Sequence, residues 1–154
     1  MLFLLFFFVN NDDDLDDKDD GKGDDSSVCL FKATAMTIQA IGKRVKKSKK
    51  QVNWSFQEGQ GADSVLHFVT MTWSKFSGRV QIHMDGTEVI SKKVAKTANP
   101  YFMYKWTTKD GLRMQIIACR SNSESTLSLS NHDLTVNEKR FAKLPNLAYT
   151  MKMH

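Results

Sequence analysis

The chain is poor in cysteine: its 154 residues contain two, Cys29 and Cys119, and neither belongs to a CxxC or other paired spacing. That argues against a disulfide scaffold, leaves room for a single bridge at most, and suits a reducing cytosol. Long apolar runs are also missing. Met1 to Val9 is apolar for nine residues, well short of the roughly 20 that a membrane-spanning helix needs, so no transmembrane segment is expected. The run has no basic residue before it and no small-residue cleavage site after it, which argues against a secretory signal. No G-x-S-x-G, glycine-rich phosphate loop or H-E-x-x-H occurs. The Asp-rich tract near the start contains no Glu, so it lacks the closing ligand of an EF-hand calcium loop.

Other chemistry is equally thin. His67 and His83 fall on neighbouring predicted strands, but a zinc site needs further convergent ligands, and Cys119 is the only obvious soft candidate. In Asn131-His132-Asp133 the residue types of a hydrolase are adjacent, and adjacent residues on a strand point to opposite faces. We therefore expect no catalytic residues, no cofactor and no metal, and a chain that is not an enzyme.

Charge is abundant and strongly segregated. Residues 1–27 carry nine Asp against two Lys, a net of −7, while residues 28–154 carry twenty basic against eight acidic side chains, a net of +12. After the apolar start at residues 1–9, the Asp-rich arm from Asn10 to Ser27 carries too little apolar surface to offset ordering and is expected to be disordered. Within residues 28–50, the spacing of Leu30, Phe31, Thr34, Ile38 and Ile41 predicts a short helix, although the β-branched content also suits a strand. A basic linker follows. Lys43, Arg44, Lys46, Lys47, Lys49 and Lys50 lie within eight positions, a pattern that reads as a polyanion or localisation patch, or as a plain solvated linker.

From residue 51 to 154 the pattern is β throughout. Val52, Trp54 and Phe56 alternate with polar residues, as do Val80, Ile82 and Met84, and Leu112, Met114, Ile116 and Ala118. Asp85-Gly86 supplies the positive φ angles of a type I′ hairpin turn. Aromatic residues at 102, 104 and 106 share a strand face, where they fill a core more often than they stack bases. The sum is seven or eight short strands joined by turns, with no long helix. That predicts an all-β fold, an antiparallel β-sandwich.

Ser77-Gly78-Arg79-Val80-x-Ile82-x-Met84-Asp85-Gly86-x-Glu88-Val89, preceded by a strand with His67 and Phe68, resembles the S-G-[KR]-R-x-[VI]-x-[VI]-D-G-[KR]-E segment of the Fas apoptotic inhibitory molecule family. Phe102 to Trp106 is similar to that family's aromatic strand, and Asp133 to Asn137 to its late hairpin, where Glu138 replaces the favoured Gly; Val80 replaces a basic residue. The resemblance covers Gln51 to Leu147 and implies one β-rich domain of a type that usually occurs as a tandem pair. It further implies a cytosolic, non-enzymatic role in protection from death signalling or protein aggregation through protein contacts. Two functions follow as expectations: a protein-interaction module with an unidentified protein partner, or a nucleic-acid or anionic-lipid binder acting through residues 43–50. The first places the chain in the cytoplasm, and the basic block adds access to the nucleus.

Overall fold

The structure is a computed structural model that describes residues 30–45, 48–95, 101–119 and 132–146. The expected disordered arm, residues 120–131 and the residues past Asn146 lie outside the described residues. Nine strands occur among the described residues: β1 (Phe31–Ala40), β2 (Lys49–Glu58), β3 (Val65–Ser74), β4 (Arg79–Met84), β5 (Thr87–Lys93), β6 (Tyr101–Thr107), β7 (Arg113–Cys119), β8 (His132–Val136) and β9 (Lys139–Arg140). They form two antiparallel sheets in chain order, β1 to β5 and β6 to β9. All-β character is therefore as the alternation predicts.

The short helix expected within 28–50 is instead the ten-residue strand β1, paired with β2 along its length. The ordered sheet thus begins well before Gln51. A register shift between Ala33 and Ala35 explains the misreading. A bulge inserts one residue, so the inward positions fall at Phe31, Ala33, Met36 and Ile38, and spacings of two, three and two imitate a helical period.

Each sheet turns one apolar face into a single core. Trp54, Phe56, Met71 and Ile82 from the first sheet and Ile116 and Leu134 from the second are fully buried in it. The Trp73 and Phe102 rings meet edge to face at 5.9 Å, joining β3 of one sheet to β6 of the other. On the outer face of the larger sheet, Asn53 accepts from Thr70 Oγ1 (2.9 Å) and donates to Thr37 Oγ1 (3.1 Å), so neutral polar side chains satisfy one another there. At the far edge, the Ala33 amide donates to the Pro145 carbonyl at 2.8 Å. The segment after β9 is thereby clipped along β1.

The turns carry their geometry in particular residues. Asp85 (φ 51°) and Gly86 (φ 79°) are both left-handed, as a type I′ turn demands. Asn137 (φ 46°) and Glu138 (φ 68°) repeat the pattern, so Glu138 holds a conformation better suited to the Gly found in the similar hairpin. Gly78 is more constrained still: φ is +68°, and a Cβ there would lie 2.6 Å from the Val94 carbonyl oxygen. Gly86 has a similar φ with nothing within 4 Å of that position. Gly78→Ala is therefore expected to cost at least about 1 kcal/mol more than Gly86→Ala, because only the first adds a backbone clash to the strain. Urea midpoints of the two variants measure the difference, and equal costs would show that Val94 yields freely.

Candidate functional site: a basic rim at one end of the larger sheet

Chain-order antiparallel pairing brings alternate connections of a sheet to the same end. At one end of the larger sheet lie the β1–β2 connection, the β3–β4 turn and the close of β5. Backbone hydrogen bonds fasten these segments to their neighbours. The Ser48 amide donates to the Val45 carbonyl (2.9 Å), Lys75 to Ser48 (2.7 Å) and Val94 to Gly78 (2.9 Å).

The rim so formed gathers cations that are distant in sequence. Lys43, Arg44 and Lys49 come from the first segment, Lys75 and Arg79 from the second, and Lys92 and Lys93 from the third, with no Asp or Glu among the three. Arg79 stands directly opposite Lys93 across the β4–β5 pair. Among the described residues, none of these side chains forms a salt bridge. Like charges facing each other on adjacent strands cost stability, so an anion on this rim would relieve a repulsion the fold leaves standing. Lys92 is also anchored, its ammonium 5.4 Å from the Phe102 ring centroid and 5.6 Å from that of Tyr104.

Of the six basic residues conspicuous in the sequence, Lys43, Arg44 and Lys49 lie on this rim, and Lys46 and Lys47 fall outside the described residues. Lys50 does not belong to the surface patch. It shares strand parity with Val52, Trp54 and Phe56, is buried, and rests its ammonium 5.4 Å from the Trp73 ring centroid. Burial above all, and then Lys75, lower its pKa to about 8, while Cys119 acts in the opposite sense. Cys119 itself is a free thiol.

The opposite end of the same sheet is acidic. Glu58, Asp63, Asp85 and Glu88, the only acidic residues between positions 30 and 95, all lie at or beside the β2–β3 and β4–β5 connections. There His67 is buried on the inward face of β3, with Nδ1–H donating to Asp85 Oδ2 at 2.7 Å and Nε2–H to Glu58 Oε2 at 3.0 Å. Carboxylates facing both ring nitrogens favour the protonated ring, which alone can donate from both. Asp85 Oδ1 also accepts from the Phe68 amide at 2.8 Å, so the same carboxylate ties the β4–β5 turn back to β3. The Phe56 ring packs against the imidazole at 5.1 Å. Both ring nitrogens are committed to carboxylates, which makes the trio a structural clamp rather than an available base.

His83 faces the other way, opposite Thr70 on the outer surface, so the two strand histidines do not converge. Among the described residues, no group of three or more His, Cys, Asp or Glu side chains is arranged to hold a metal ion. No helix among them is long and apolar enough to cross a membrane. The aromatic residues mostly fill the core: Trp54, Phe56, Trp73 and Phe102 are buried, and Tyr104 and Trp106 pack partly against them. Comparison with protein-family models, with curated proteins and with solved structures returned no match.

Burial opposes charge on His67, but its hydrogen bonds to Asp85 and Glu58 and the charges of both outweigh it, leaving the pKa above the ordinary 6.5. A raised folded-state value means that the clamp's stabilisation is complete below pH 6.5 and is lost as pH rises through the folded-state pKa. Urea unfolding of the parent should weaken across that window, whereas His67→Gln should be less stable at low pH and show a flatter profile. An identical pH profile in the variant would place the titration elsewhere.

Proposed function

We propose that the two sheets pack face to face as a β-sandwich that serves as a non-catalytic binding module, with the basic rim as its contact surface for a polyanion. The observation that carries this reading is the gathering of unbridged cations from three separate segments, with Arg79 and Lys93 held face to face. A solvated linker would account for residues 43–49 alone. It does not account for Lys75, Arg79, Lys92 and Lys93 at the same end. We place this activity in the cytoplasm, with access to the nucleus.

Counterion release makes such binding steeply salt-dependent, by about 0.7 in log-log slope for each phosphate contact on a single strand. A labelled single-stranded oligonucleotide should therefore bind the full chain with an affinity that falls as salt rises. Arg79→Ser combined with Lys93→Ser should reduce the slope by roughly 1.4 if each makes one contact. Binding that ignores salt, or a double variant with the parent's slope, would remove the rim from the interaction.

A second reading follows the resemblance to the Fas apoptotic inhibitory molecule family, as a protein-contact module in apoptosis regulation or protection from aggregation. Leu66 and Phe68 favour it, because both stand exposed on the outer face of β3, the strand that pairs with the Ser77 to Val89 hairpin. It leads to the opposite salt behaviour. Affinity capture at high salt should recover a defined protein with the parent and lose it with Phe68→Ser; capture that Phe68→Ser leaves intact would count against this face.

A further inference from the structure

Two exposed apolar side chains project from the basic rim. Phe76, in the β3–β4 turn, is 69% exposed and Val45, in the β1–β2 connection, is 52% exposed. Their loops are joined through Ser48, whose amide donates to the Val45 carbonyl and whose carbonyl accepts from the Lys75 amide. The two tips are thus held on one fastened unit, flanked by Arg44, Lys49, Lys75 and Arg79. Beside Phe76, an open recess of about 440 Å³ is lined by Phe76, Ser77, Lys93, Val94 and Ala95. It offers an ammonium and a hydroxyl next to apolar walls.

A purely electrostatic contact with a soluble polyanion has no use for Val45. An anionic bilayer uses both kinds of group, because cations meet the headgroup phosphates while apolar side chains enter the acyl boundary below them. The acidic residues at the other end of the sheet, Glu58, Asp63, Asp85 and Glu88, would be repelled by the same surface and so favour end-on approach. From charge complementarity and these tips, we infer that the rim docks on an anionic phospholipid membrane, with Phe76 and Val45 inserted and the recess beside Lys93 receiving a headgroup phosphate. This inference rests on the polyanion-binding reading and names its target.

Vesicle flotation of the full chain tests it, using phosphatidylcholine vesicles with and without phosphatidylserine and the labelled single-stranded oligonucleotide as a soluble control. Binding is expected only to the phosphatidylserine vesicles. Val45→Ser combined with Phe76→Ser alters exposed positions only, and should lower vesicle partitioning about tenfold through lost apolar burial while leaving oligonucleotide affinity unchanged. Phe76→Trp should gain a blue-shifted emission component on those vesicles that the parent lacks. An unchanged partition in the double variant, or no shift in Phe76→Trp, overturns insertion. Oligonucleotide binding without vesicle binding overturns the membrane target and leaves the rim as a nucleic-acid surface. If neither probe binds, the polyanion reading fails as well.

Discussion

Each sheet has one apolar face, no long helix occurs among the described residues, and the inward side chains of both sheets join one hydrophobic core. Everything else in the molecule is arranged around that shared core. Trp54, Phe56 and Ile82 share that core with Ile116 and Leu134, and truncating a core aromatic of this kind to Ala typically costs about 3 to 5 kcal/mol. With the inward face committed to packing, and the outer face around Asn53 occupied by hydrogen bonds with Thr37 and Thr70, the strand ends become the natural places for charge.

Length then keeps the two ends electrically separate. The ten-residue strands β1, β2 and β3 span about 33 Å at the usual rise per residue, several times the roughly 8 Å screening length at physiological ionic strength. Carboxylates at the His67 end therefore do little to neutralise Lys75, Arg79 and Lys93. They act locally instead, with Asp85 and Glu58 holding the His67 ring from both sides and securing a tight turn. At the cationic end the compensation is aromatic, as Trp73 lies under Lys50, and Phe102 and Tyr104 under Lys92.

Strands β2, β4 and β7 and the Asp85-Gly86 turn were legible in the sequence, because strict alternation and a left-handed dipeptide are local signals. The strand β1 was not, since a bulge at Ala33 broke its parity. Lys50 was recoverable in principle: it alternates with Val52 and Trp54, and parity alone assigns it to the core. The same parity places His67 with Val69 and Met71. What no local pattern reveals is the rim, because Lys43 and Lys93 come to the same end of the sheet only after four strand pairings have been made. The clamp on His67 hides for the same reason, drawing Glu58 and Asp85 from two different connections.

The clip between Ala33 and Pro145 has a consequence for the order of events during synthesis. Residues 31 to 40 leave the ribosome before Pro145, whose carbonyl accepts from their outer edge at Ala33. Until then the Ala33 amide is open to any extended chain nearby, the situation in which nascent β proteins are most exposed to mispairing. The bulge at Ala33 sits at the position where that late closure occurs, and a bent edge is a poor template for a foreign strand. The irregularity that disguises β1 as a helix thus also shields it while the ribosome is still making its partner.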